Sequence, residues 1–221
     1  VAEQHDEALF REIDEELRHD KAKVIWAAYG KYFVSVAVIL LLAVIGFQGW
    51  KKYDLKNRNA LGEKLAKAED LAKSGDEQAA LSALEDLAKY GSKGYALLAR
   101  FRIAGVLAEK QNTAAAIDAY KNIAGDETVD VKYRDLAVIL SAMQKLNLPQ
   151  NDIADDKRLA EIAKANNPWH FSAREILATE AFRAGQIAKA REKFKSLNEE
   201  ATTPAAIRDR AVQMLAIIGD K

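Results

Sequence analysis

Three regimes of apolar and polar spacing follow one another along the chain. In the first, Leu9, Phe10, Ile13 and Leu17 recur at helical spacing among Glu12, Asp14, Glu15, Glu16 and Arg18, which predicts an amphipathic helix with an acidic polar face. The second, FVSVAVILLLAVIGFQGW from Phe33 to Trp50, is eighteen residues without a charged side chain. As a helix it is roughly 27 Å long, close to the thickness of a hydrocarbon core. The third regime, from about residue 61 onward, is rich in Ala, Leu, Lys and Glu with polar punctuation at short intervals, the pattern of short helices joined by tight turns. No strand alternation interrupts it, so the predicted fold class is all-α.

The apolar run has the flanks of a membrane anchor. Eleven of its residues are Leu, Ile, Val or Phe, each worth about −0.3 to −0.6 kcal/mol at the bilayer centre. Tyr32 and Phe33 at one end and Trp50 at the other suit the headgroup layer, and Lys51 and Lys52 place their ammonium groups just beyond. A cleaved signal peptide has a shorter apolar core followed by a small-residue cleavage site. Here a 31-residue tail precedes Tyr32, and no A-x-A stands directly after the run. A buried soluble helix is a third reading, disfavoured because no polar stripe breaks the run. The expected organisation is a cytoplasmic amphipathic tail over 1–31, a transmembrane helix over 32–50, a juxtamembrane linker over 51–60 and a helical domain over 61–221.

Within the helical domain the chain repeats. Aligning Ala80, Ala116 and Ala190 brings Leu84, Tyr120 and Phe194 into register four residues later and Leu87, Ile123 and Leu197 three residues further on; Gly75, Gln111 and Gly185 precede by five. A weaker copy places Gln150, Asp155, Leu159 and Ile162 at the same positions, so the spacings are 36, 39 and 35 residues. Twelve residues before the aligned site stand Ala68, Ala104, Met143 and Ala178, followed three later by Leu71, Leu107, Leu146 and Ala181. The pattern resembles the tetratricopeptide repeat, in which small residues let two helices of a hairpin approach and large ones fill the groove to the next hairpin. The resemblance implies a degenerate tetratricopeptide-like α-solenoid of helix hairpins; an ordinary Ala-rich bundle is the alternative. Asn167 with Pro168 is expected to begin a helix, and Thr203 with Pro204 to serve as N-cap and first residue of a closing helix that ends at Gly219.

Charge and composition exclude several functions. The chain has 33 basic and 33 acidic residues and no Cys, which removes a chain-wide basic field for nucleic acid, disulfides, thiolate metal sites and cysteine nucleophiles. His5, His19 and His170 fall in no metal-binding frame, and no P-loop, G-x-S-x-G or G-x-G-x-x-G is present. A catalytic role, a cofactor and a small-molecule substrate are therefore not expected.

The segment FREIDEELRHDKAKVIWAAYGKYF, from Phe10 to Phe33, together with one anchor and tetratricopeptide-like repeats, resembles the YfgM-like family of ancillary SecYEG translocon subunits. That resemblance implies a single-pass protein of the bacterial inner membrane, N-terminus cytoplasmic and C-terminal domain periplasmic. It also implies that the protein accompanies the SecYEG channel and hands emerging chains to a periplasmic chaperone. The count of Lys and Arg flanking the anchor leans the other way, with Lys51, Lys52, Lys56, Arg58, Lys64 and Lys67 on the C-terminal side.

Two function classes stay open. In one, the domain is an adaptor whose partner groove is lined by Leu98, Phe101, Glu109, Glu175, Phe182 and Arg183, with the tail residues Leu9, Phe10, Ile13 and Leu17 as a further contact. In the other, the protein is an accessory structural subunit of another inner-membrane complex, such as a respiratory or envelope assembly, held by its membrane helix.

Overall fold

A computed structural model describes the backbone of residues 2–149, 153, 156–164 and 166–219, and their side chains apart from residues 2–22, 24, 25 and 37. The described residues are all-helical. In chain order the helices are α1 (Ala2–Ser74), α2 (Glu77–Tyr90), α3 (Lys93–Glu109), α4 (Thr113–Ala124), α5 (Val131–Lys145), α6 (Lys157–Ile162), α7 (His170–Arg183), α8 (Ile187–Glu199) and α9 (Ala205–Ile218). Two compact units are present, Val1–Ala60 and Leu61–Lys221. The segment 51–60 lies within α1 and is helical.

In the first unit the apolar run is bare. Ile39, Leu40, Leu41, Leu42 and Phe47 are each more than 60% exposed. At 100° per residue, positions 39–42 point all around the helix, so no face of the run is polar. Ser35 donates its hydroxyl to the Lys31 carbonyl (2.8 Å), which satisfies the group inside its own helix.

The second unit is a stack of hairpins. Leu61 and Ala68 of α1 pack with Leu84 and Leu87 of α2 and Ala99 and Val106 of α3. Ala104, Tyr120, Ile123 and Ala137 join α3, α4 and α5. Ile139, Ala142, Ile153, Leu159, Ile162, Ala173 and Ile176 join α5, α6 and α7. Ala178, Phe194, Leu197, Ile207 and Ala211 join α7, α8 and α9. Each cluster links only sequence-adjacent helices, the nearest-neighbour construction of a solenoid. Full burial of one Leu or Phe contributes about 1.5–3 kcal/mol relative to exposure.

The repeat register has a direct physical expression. Ala80, Ala116 and Ala190 are each 0% exposed, as are Ala68, Ala104 and Ala178. The turn position has positive φ in three hairpins: Gly75 at 89°, Gln111 at 61° and Gly185 at 73°. In two of them an N-cap follows at once, with Asp76 accepting from Ala79 N (3.2 Å) and Asn112 from Ala115 N (3.4 Å). A left-handed backbone costs an L-residue about 1–2 kcal/mol, partly offset by the extra unfolded-state freedom of glycine. Gln111→Gly is therefore expected to raise stability by up to about 1 kcal/mol, and Gly185→Ala to lower it by about 1 kcal/mol. Urea unfolding of the two variants checks the opposite signs.

The third hairpin departs from the pattern. Met143 does not occupy the small-residue position: it is 49% exposed, and its neighbour Ala142 is 1% exposed in the core. The register is therefore shifted by one residue, because a bulky, flexible side chain is excluded where α5 meets α6. Leu159 and Ile162 are buried as the repeat requires, whereas Gln150 and Asp155 lie outside the described residues. Its second helix, α6, has only six residues. Ile153, fully buried ahead of α6, supplies apolar volume that a longer helix gives elsewhere.

Polar groups hold this short hairpin. Asp135, 3% exposed on α5, accepts from Arg158 Nε (3.0 Å) and Nη2 (2.5 Å) and from Asn167 Nδ2 (2.6 Å). Asp156 caps α6 through Leu159 N (3.0 Å), and the Trp169 indole donates to the Lys132 carbonyl (2.8 Å). Two helix starts fall slightly beyond the residues expected. Helix α7 begins at His170 after Asn167 accepts from Trp169 N (2.9 Å). At α9, Pro204 and not Thr203 is the N-cap, and the Thr203 side chain makes no capping bond. The fixed φ of proline suits either position, so a one-residue displacement costs little. Helix α9 lies over the last hairpin and ends at Gly219, whose carbonyl accepts from Arg191 Nε (3.2 Å) and Nη2 (3.0 Å) on α8.

Candidate protein-interaction face

The expected partner face is on α3 and α7, the first helices of their hairpins. On α3, Leu98 is 49% exposed. Phe101 is half-buried against the cluster of Ala104 and Ile123, its ring 6.3 Å from that of Tyr120 at 49°. Burial pushes the Tyr120 phenol up from its ordinary pKa. Glu109 is exposed and accepts from Arg102 Nη1 (2.9 Å).

On α7 the corresponding side chains are less free. Glu175 receives Arg210 Nε (2.5 Å) and Nη2 (2.8 Å) from α9, a two-pronged pair that also raises the Arg210 pKa. Phe182 is half-buried against the cluster containing Phe194 and Leu197. Arg183, ending α7, is exposed. The described face thus offers Leu98, Glu109 and Arg183 to solvent, while Phe101, Glu175 and Phe182 also hold hairpins together.

The structure brings together a second set of residues that the repeat search did not single out. Arg100 reaches Asp126 (2.7 Å) and the Asn122 carbonyl (3.1 Å). Arg174 reaches Glu200 (2.6 Å) and Ser196 Oγ (2.8 Å). Both arginines stand sixteen residues before the aligned Ala of their hairpin and both acids ten after it, so the same alignment contains the signal. Each clamp ties the first helix of a hairpin to the C-terminal end of the second, and so resists splaying of the pair.

These clamps are acid-sensitive. Hydrogen bonds from Thr128 and Arg100 hold the Asp126 carboxyl at about 2, and the Arg174 hydrogen bond lowers that of Glu200. An acid that is stronger folded than unfolded binds its proton first in the unfolded chain, so its contribution is complete above the unfolded value. That contribution is expected to be full above about pH 4 and to vanish as pH falls toward 2. Unfolding midpoints of the parent and of Asp126→Asn/Glu200→Gln should converge across this window; parallel curves would contradict it.

The residues expected to bound an anchor are all exposed. Tyr32, Phe33 and Trp50 are 59%, 62% and 68% exposed, and Lys51 and Lys52 are exposed beside Trp50. The Lys31 ammonium stands 5.2 Å from the Tyr32 ring centroid. The tail residues Leu9, Phe10, Ile13 and Leu17 belong to α1, but their side chains lie outside the described residues.

Stacked hairpins with small residues at the close approach define a helical-repeat protein of the protein-binding kind. A family model described as a tetratricopeptide repeat-like domain matches residues 23–166, and the chain belongs to that family. The matched range includes the apolar part of α1 and stops before α7, although α7 and α8 bury the same repeat positions. No curated protein and no solved structure matches the chain. The family is typically non-catalytic and implies protein–protein interaction. The long apolar helix near the N-terminus is of the kind that serves as a membrane anchor or a signal sequence.

Proposed function

We propose that this chain is a non-catalytic adaptor of the bacterial inner membrane, anchored once by residues 32–50, with a cytoplasmic tail and a periplasmic helical domain. Its partner face is Leu98, Phe101, Glu109, Glu175, Phe182 and Arg183, and it accompanies the SecYEG translocon, linking it to a periplasmic chaperone. The observation that carries the adaptor reading is a helical-repeat unit on the same chain as a fully exposed apolar helix. The resemblance of Phe10–Phe33 to the YfgM-like tail is what points to the translocon.

The test is mild detergent extraction of the tagged full chain from its native membrane, followed by mass spectrometry of what stays bound. Recovery of SecYEG and a periplasmic chaperone supports the translocon role. Leu98→Ser with Arg183→Glu changes two exposed side chains and should release the partner without loss of helicity. Recovery of a respiratory or envelope complex, unaffected by that variant, identifies an accessory structural subunit held by its membrane helix. A specific feature favours this second reading: three of the six groove residues are also engaged within the fold, whereas Gly46 and Gly49 leave open space on the membrane helix.

A further inference from the structure

Resting on the membrane reading above, we infer that one face of the apolar helix is a docking site for an anionic glycerophospholipid. Leu40, Val44, Phe47 and Lys51 recur at intervals of four, three and four residues and therefore share a face of α1. With Ala43, Gln48, Lys52 and Leu55 they line a shallow groove within the first unit. The small Ala43 side chain sits between Leu40 and Phe47 in sequence and opens the groove floor. Its walls, Leu40, Val44 and Phe47, are bulky, which suits an acyl chain better than the close approach of a second helix. The glycines that favour helix contact, Gly46 and Gly49, lie roughly 130–170° around α1 from the row of Leu40, Val44, Phe47 and Lys51.

Charge selects the headgroup. Lys51 lies four residues, about 6 Å of helix rise, beyond Phe47, so the ammonium groups of Lys51 and Lys52 stand where the groove leaves the hydrocarbon. Among the described residues neither has an acidic partner. Arg58, two turns on, is already paired with Asp54 (2.8 Å). Two adjacent free cations at the end of an apolar groove complement a lipid that carries a phosphate above its acyl chains. A polybasic segment gains roughly fivefold in affinity per Lys at an anionic surface. The site also gives these lysines a role on whichever leaflet they face.

The test uses the full chain in mild detergent, titrated with phosphatidylglycerol or phosphatidylcholine and read by native mass spectrometry. Phosphatidylglycerol should bind at least tenfold more tightly than phosphatidylcholine, and Lys51→Gln/Lys52→Gln should abolish the difference. Lys64→Gln/Lys67→Gln, lysines outside the groove, should leave it intact. Equal binding of the two lipids, or a preference that survives loss of Lys51 and Lys52, overturns the inference. A photocrosslinker at Phe47 in native membranes should label lipid; a protein adduct alone would assign the groove to a partner helix and also overturn it. Alkaline extraction separates this outcome from failure of the membrane reading. A chain released by alkali is not integral and both proposals fall, whereas an integral chain without lipid preference loses only this one.

Discussion

Phe194→Ala is expected to destabilise the helical unit by about 3–5 kcal/mol, the range for removing a large aromatic from a core that relaxes only partly around the void. Phe194 is 0% exposed and packs among Ala178, Ala181, Ala190, Leu197, Ile207 and Ala211. Most of these neighbours are alanines on three helices, α7, α8 and α9. The alanines have no side chain that can swing into the vacated space, so filling it falls to Leu197, Ile207 and the partly buried Met214 or requires the helices themselves to move. In a solenoid each layer is stabilised mainly by its neighbours. The loss should therefore appear first at the C-terminal end, with α9 amides exchanging faster than those of α3 or α4. Urea unfolding of the full chain in detergent, followed by helicity and by amide exchange, measures both the size and the place of the effect. Tyr90→Ala removes a comparable ring from a side chain that is 72% exposed, and should change stability by no more than about 0.5 kcal/mol. Equal effects at the two positions would mean that the Phe194 layer is not the core it is described to be.

The same position shows why part of the fold was legible in the sequence. Close helix approach demands Ala, a positive φ at the turn favours Gly, and the groove to the next hairpin demands a large apolar side chain, so Gly185, Ala190, Phe194 and Leu197 spell one hairpin in order. Gln111 carries the turn conformation without the glycine; only its spacing from Ala116 and Tyr120 reveals it. Met143 was misleading because an exposed thioether and a buried alanine are neighbours in sequence, and a shift of one residue exchanges them.

The proposed partner face was less legible. Its register placed residues on the first helices of two hairpins, but register does not say which polar side chain is already spoken for. Glu175 has the same sequence character as Glu109, yet one is bound by Arg210 from a helix 35 residues away and the other by Arg102 on its own helix. Long-range ion pairs of this kind arise from how the closing helix lies on the last hairpin. No local pattern encodes them.

The short third hairpin provides the other large effect. Asp135→Ala should cost about 2–4 kcal/mol, because it removes a buried charged acceptor and strands a donor at the same time. The carboxylate is 3% exposed and serves both Arg158 and Asn167. With alanine there, the Arg158 guanidinium, whose side chain is 49% exposed, can turn to water. The Asn167 amide has fixed backbone on both sides: its Oδ1 holds Trp169 N and its carbonyl faces His170 Nδ1 at 2.6 Å, so its Nδ2 would be left without an acceptor. Arg158→Ala is expected to cost at least as much as Asp135→Ala, because it leaves the buried Asp135 carboxylate without its counter-charge, whereas loss of the carboxylate frees a half-exposed guanidinium. Asp135→Asn should not rescue, since its amide oxygen can take only one of the two carboxylate positions and its NH2, which cannot accept, would face the other donor. The damage should concentrate where the apolar contacts are thinnest, with faster amide exchange across α6 and the segment leading into α7 while α2 stays protected. If instead Asp135→Ala is clearly the costlier change, the stranded Asn167 amide and not the ion pair holds the hairpin.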